Sequence, residues 1–183
     1  MRVSRFKLEW RRNPNLDAET KRVSIMKRLP DLPLELKMLV TATLIFAGLS
    51  VLMGFAYIVA SHQGAGSSYW IGPSDIAALY TGPGVSMVTL ISLAHIHLLG
   101  LLPIFAIIGF IFVHSTLGRG WRIFWSMLPF LAFILDVSGW FLTKMVAQEF
   151  VYLVIFCGAT FILSLTVMIL ISLTQIWFAK AGA

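Results

Sequence analysis

The stretch that decides the fold is "MLVTATLIFAGLSVLMGFAYIVAS", residues 38–61, which contains no charged side chain. A helix of about 20 apolar residues is long enough to cross the hydrocarbon core of a bilayer. Similar apolar stretches follow at residues 85–113, 123–143 and 150–178. Because lipid offers the backbone no hydrogen-bond partners, each stretch is expected to be helical. The sequence therefore predicts an all-α integral membrane protein with four transmembrane helices.

The composition agrees with a membrane protein and separates the chain into two parts. Hydrophobic residues make up 58% of the 183 residues and charged residues 12%, against about 25% charged in soluble domains. The net charge is +6, but most of the lysines and arginines lie in residues 1–37. That pattern is typical of a basic membrane-proximal tail and argues against a nucleic-acid partner. We predict a cytoplasmic or interfacial tail at 1–37 and a transmembrane domain at 38–183.

The distribution of basic residues also predicts the orientation. The tail and the loop that carries Arg119 and Arg122 are basic, whereas the loop at residues 62–84 has no lysine or arginine. By the positive-inside rule, both termini should be cytoplasmic and loop 62–84 external, in a bacterial-type inner membrane. The basic leader is too long for an ordinary signal peptide, so we expect the first helix to be uncleaved.

Two connecting segments have features of their own. Residues 28–37, "RLPDLPLELK", combine prolines and leucines with basic residues, which fits either an interfacial segment on the inner leaflet or a docking site for a partner subunit. In the external loop, "PSDIAALY" at 73–80 predicts a short helix capped by Ser74 or Asp75. That loop would either close the outer end of the bundle or bind another subunit or a periplasmic electron carrier.

Ionisable residues inside a membrane are costly and are therefore candidates for function. The second predicted helix contains His95 and His97, and the third contains Asp136. With a rise of about 1.5 Å per residue, all three lie in the outer half of the bilayer, near the depth of Met53 on the first helix. We expect these four residues to converge.

The two histidines cannot share one partner, because residues two apart on a helix point about 200° apart. They are therefore not the two axial ligands of one haem. One should face the bundle centre and the other a second neighbour. Gly100, three residues after His97, would leave space there for a flat cofactor or a close helix.

The motif "HIHLLG", residues 95–100, resembles the haem- and metal-binding helices of heme–copper oxidase catalytic subunits, which carry an H-x-H pair followed by a glycine. The resemblance covers about seven residues and implies that His97 or His95 binds haem iron. That family has several more helices and further ligand histidines, and here no other predicted helix has an intramembrane histidine. The resemblance is therefore not extended to oxygen reduction or proton pumping, and we do not expect these activities of this chain.

A b-type haem needs a second axial ligand. His62 lies too near the outer surface to pair with His97, and His114 lies near the inner surface. Met53 is closer in depth, and thioether ligation of haem iron is known chemistry, although methionine is also a common packing residue. The remaining source is another chain.

Asp136 has two interpretations. It can pair with a buried histidine across the helices as a purely structural contact. It can also relay protons or hold a ligand histidine in position.

Two functions follow as hypotheses. The first is a small membrane subunit of an electron-transfer complex, respiratory or photosynthetic, that holds haem b or contributes to a quinone site. The second is a cofactor-free accessory or anchoring subunit; an ion or metal conduit is a more remote third. In each case the partners are the lipid bilayer and other membrane subunits. We expect no independent enzyme, because the sequence contains no arrangement typical of soluble catalysis.

Overall fold

The computed structural model describes residues 28–64, 71–83 and 85–180. The basic tail up to residue 27 and part of the loop at residues 62–84 lie outside the described residues. The described chain forms five α-helices: α1 (Leu34–Gly64), α2 (Pro73–Thr81), α3 (Met87–Phe112), α4 (Arg119–Met145) and α5 (Val151–Phe178). Single 3-10 turns precede α1 at Leu29–Asp31 and α5 at Gln148–Phe150.

The predicted fold class is confirmed. The helices α1, α3, α4 and α5 are long and apolar enough to cross a membrane, and the described residues contain no strand. The chain is a multi-pass membrane protein whose spans contact the lipid bilayer. The bounds differ most at α1 and α4, which each begin four residues before the predicted start: α1 at Leu34 instead of 38, and α4 at Arg119 instead of 123.

The short helix predicted at 73–80 is also confirmed, as α2, but its N-cap residue differs from the prediction. The N-cap position is Gly72, and the Asp75 carboxylate accepts a hydrogen bond from the Gly72 backbone N–H at 2.7 Å. The carboxylate therefore acts from the third helical position, as the acidic member of a capping box does. Ser74, the other predicted cap, is exposed.

The core of the bundle is formed mainly by α3, α4 and α5, with Leu44 of α1 also buried in it. Buried side chains of these helices, Phe105, Phe133, Leu165 and Met168, form its centre. The helices α4 and α5 approach each other closely at Gly139, where an added Cβ atom would lie 2.8 Å from Val154 Cγ2. Glycine at this position therefore allows the two helices to touch.

The segment before α1 packs on the bundle. Leu29 is only 2% exposed and belongs to the main core, and its backbone N–H donates to the His114 carbonyl at 3.1 Å. Pro30 beside it is also buried. A segment lying on the inner leaflet would turn its apolar side to lipid. Here that holds for Leu34 and Leu36, which are exposed, whereas Leu29 and Pro30 seal one end of the helix bundle.

Candidate functional site

Aromatic and polar side chains meet where α2, α3 and α4 come together. The His97 ring meets the edge of Trp140, with ring centroids 5.2 Å apart. The Tyr80 ring stacks on Trp140 at 5.5 Å, with an interplanar angle of 16°. We call Tyr80, His97, Asp136 and Trp140 the Trp140 cluster. It unites residues of three separate helices around one buried indole ring.

Asp136 lies one turn before Trp140 on the buried face of α4 and is 6% exposed. Its carboxyl group faces α5, because a Cβ atom added to Gly158 would lie 4.0 Å from Asp136 Oδ1. The glycine thus leaves room for the carboxyl group between the helices. The Trp140 indole N–H is buried and has no hydrogen bond of good geometry within the described chain. Both polar groups are therefore shut off from lipid by the bundle.

His97 is the histidine that faces the bundle. Its Nδ1 lies 2.9 Å from the Leu93 carbonyl oxygen, one turn earlier on α3. A carbonyl only accepts hydrogen bonds, so this contact assigns the proton to Nδ1 and leaves the lone pair on Nε2. The imidazole is half-buried, so its Nε2 is the atom of this cluster best suited to bind a ligand.

His95 points the other way, as the helical geometry predicts. It is exposed, like Ile91 and Leu99 on the same surface of α3. The two histidines therefore have different neighbours. His95 belongs to the lipid-facing surface, where only lipid or another chain can reach it.

Met53 does not take part in the Trp140 cluster. It lies on the exposed surface of α1, with 69% of its surface accessible.

Of the other histidines, His114 lies at the far end of α3, where its Nδ1 contacts the Phe110 carbonyl oxygen at 2.8 Å. The side chain of His62 lies outside the described residues. Nowhere in the described chain do three histidine, cysteine or acidic side chains group closely enough to hold a metal ion.

Within the described residues, the structure does not show the expected pairing of a buried histidine with Asp136. The described residues show no hydrogen bond between His97 and Asp136, and His97 contacts Trp140 instead. The physical reason is that Asp136 is turned towards Gly158 on α5. Trp140, one turn further along α4, occupies the position beside the imidazole.

Tyr80 closes the cluster from outside the membrane spans. It is 8% exposed; burial raises the pKa of its phenol above the ordinary value, and the negative charge of Asp136 raises it further. Lys144 Nζ donates hydrogen bonds to the backbone carbonyls of Tyr80, at 3.3 Å, and Val85. These bonds hold the end of α2 against α4.

Sequence reasoning missed Trp140 and Tyr80. A signal for Trp140 existed, because it follows Asp136 by four residues and so shares its helical face. No comparable signal existed for Tyr80, since its contact depends on how α2 folds back over the bundle.

Comparison with known proteins identifies a family for the transmembrane region of the chain. No curated protein and no solved structure matches it. Residues 73–183 match a family of transmembrane helical domains, Aq_1264_TM. This match includes α2 to α5 and the whole Trp140 cluster. Because it covers more than half of the sequence, the chain belongs to the Aq_1264_TM family of transmembrane helical domains.

Proposed function

We propose that the chain is a small membrane subunit of an electron-transfer complex, respiratory or photosynthetic, in which His97 contacts a quinol or a b-type haem. The observation that supports this most is the anchored imidazole, with Nδ1 held by the Leu93 carbonyl and Nε2 left free. Beside it, a Cβ atom added to Gly100 would meet nothing within 4 Å. A free Nε2 can accept a hydrogen bond from a quinol hydroxyl or bind haem iron.

The residues fit a quinol more completely than a haem. A haem with two axial ligands would find only one in this cluster, because His95 faces away and Met53 lies on the exposed surface of α1. Its second ligand would come from another chain. A bound haem would supply one-electron transfer. A quinol needs only hydrogen bonds, for which His97 is placed and Asp136 lies in the same cluster.

The proposal includes an orientation in a bacterial-type inner membrane, with both termini cytoplasmic. Its support is the charge asymmetry between the two ends of the bundle. The α2 end has one basic residue in the described chain, Lys144, and its ammonium group is bonded to two backbone carbonyls. The opposite end carries Arg119, Arg122 and Lys180. The α2 end would then face the periplasm and be available to an electron carrier or another subunit.

The test is spectroscopic and chemical. The chain is purified with its native partners, and reduced-minus-oxidised absorbance spectra and extracted quinone are measured. His97→Ala should lose most of the bound haem or quinone, because it removes the anchored Nε2. His114→Ala, at the far end of α3, is the matched control and should keep it.

Two results would contradict the proposal. One is a preparation with native partners that contains neither haem absorbance nor quinone. The other is loss of the cofactor in His95→Ala to the same extent as in His97→Ala, since the two side chains occupy different surfaces.

A second candidate function, a cofactor-free accessory or anchoring subunit, is favoured by the surface of α1. An open apolar groove lies between α1 and α3, and its lining includes Phe46, Ala47, Ile104 and Ile108. Large side chains on α1, such as Phe46 and Leu52, are exposed. This function predicts that deleting the chain dissociates a larger complex while the spectrum of that complex stays unchanged.

A further inference from the structure

The first turn of α4 concentrates positive charge at the end of the bundle opposite α2. It contains Arg119 and Arg122 and no acidic residue. Arg122 Nη1 donates to the Val113 carbonyl oxygen at 2.6 Å, which fixes the guanidinium group between the end of α3 and the start of α4. The Nε atom of the same guanidinium is buried and has no partner within the described chain.

The backbone of this turn adds further unsatisfied donors. The first N–H groups of a helix have no intrahelical acceptor, and Gly118 at the N-cap provides no side-chain cap. The helix dipole makes this end positive, so it repels the two arginine side chains, which also repel each other. In the preceding turn, the Ser115 hydroxyl is buried and also has no partner among the residues that the structure describes. An anion at this place would relieve the repulsion and accept several hydrogen bonds.

The turn is open enough for an anion to reach the backbone. A Cβ atom added to Gly118 or Gly120 would meet nothing within 4 Å. Arg119 is exposed, and Trp121 beside it is 61% exposed. An exposed tryptophan at the end of a membrane span is typical of the level of lipid headgroups.

We propose that the first turn of α4 binds the phosphate group of an anionic phospholipid through Arg119, Arg122 and the free backbone N–H groups. The position of this turn at the end of a membrane-spanning helix favours a lipid headgroup over free phosphate, because the indole of Trp121 would lie among the lipids. Arginine suits the role because its planar guanidinium can bind two phosphate oxygens at once. The proposal is independent of the electron-transfer function.

The full-length protein in detergent, supplied with phosphatidylglycerol or with phosphatidylcholine, tests the proposal by native mass spectrometry. The wild type should retain phosphatidylglycerol preferentially. Replacing both arginines, Arg119→Gln with Arg122→Gln, should reduce that retention on the order of 10-fold. Lys180→Gln is the matched control, since it removes one charge at the same end of the bundle but outside this turn, and its retention should stay within about twofold.

Further variants separate binding from folding and from simple charge. Arg119→Gln alone changes an exposed side chain, so it should fold and lose part of the retention. Arg122→Lys keeps the charge but not the planar fork, and should also bind less phosphatidylglycerol than wild type.

Two results would overturn the proposal. The first is that the wild type retains both lipids equally, or that the wild type and the double variant retain phosphatidylglycerol equally. Either finding would mean that the turn is not a specific lipid site. Displacement of bound phosphatidylglycerol by millimolar inorganic phosphate would assign the turn to a soluble anion rather than to a lipid.

Discussion

The helices α1 and α4 show that apolarity and burial are separate properties in this protein. The more apolar of the two is α1, with a mean hydropathy of 2.1 against 1.5 for α4. Yet in the 18-residue apolar stretch that defines each span, 6% of the residues of α1 are buried inside the protein, against 39% of those of α4. Lipid tails are as apolar as leucine, so apolar surface gains little by leaving lipid for protein. What distinguishes α4 is the set of small and polar residues that it buries together with aromatic ones.

Those residues are concentrated on the buried face of α4. Asp136, Gly139 and Thr143 lie on this face together with Trp140. The Thr143 hydroxyl donates to the Gly139 carbonyl, so it is satisfied within its own helix. A side-chain bond between α1 and its neighbours, by contrast, joins Trp177 on α5 to Thr41, at 3.0 Å, close to one end of the helix.

The largest expected contrast comes from truncating one aromatic residue on each helix. Trp140→Ala removes the stack on Tyr80 and the contact with His97, and should lower the free energy of unfolding by about 3 kcal/mol. Phe46→Ala on α1 removes a side chain that is 70% exposed, and should change it by less than about 0.5 kcal/mol. Unfolding of both variants in mixed micelles measures the difference. Equal losses would show that α1 is packed as tightly as α4.

Adding a side chain gives the converse test at a smaller magnitude. Gly139→Leu would drive atoms into Val154, where even a Cβ atom approaches within 2.8 Å, and should cost about 1–3 kcal/mol of stability. Gly54→Leu on α1 is the matched control, because a Cβ atom there meets nothing within 4 Å. The same micelle titration compares the two. A stable Gly139→Leu variant would mean that α4 and α5 do not cross closely at this point.

The smallest effect concerns the bond between α1 and α5. Trp177→Phe and Thr41→Val each remove one partner of the hydrogen bond between the indole N–H and the threonine hydroxyl. A double-mutant cycle should give a coupling of about 0.6 kcal/mol, the usual magnitude for such bonds between membrane helices. Additive effects of the two substitutions would mean that the bond does not hold α1 in place.

Much of the fold could be predicted from the sequence, because the bilayer restricts the choices. The four spans follow from length and apolarity, and the opposite directions of His95 and His97 follow from the helical period. The turn residues also predict the short helix at 73–80, which the structure shows at Pro73–Thr81. They do not predict its cap, because either Ser74 or Asp75 fits the pattern and the choice depends on where the first backbone turn forms.

The candidate site was less predictable. Depth along the helices brought His97, Asp136 and Met53 to one level, but depth says nothing about rotation around each axis. The structure shows Met53 on the exposed surface and Trp140, rather than Asp136, beside His97. The Tyr80 contact needed α2 to fold back, which Lys144 secures through two backbone carbonyls.

The sequence alone establishes that this chain is a helical membrane protein with few ionisable groups in its spans, because an unpaired backbone cannot exist in lipid. The tertiary structure settles which surfaces meet: Asp136 against Gly158, His97 against Trp140, Leu29 beneath the core, and α1 largely in lipid. The physical reason is that insertion into the bilayer and packing between helices depend on different properties of the residues. Transfer into the bilayer depends on summed apolarity, whereas contacts between helices depend on the shapes and hydrogen bonds of a few facing residues.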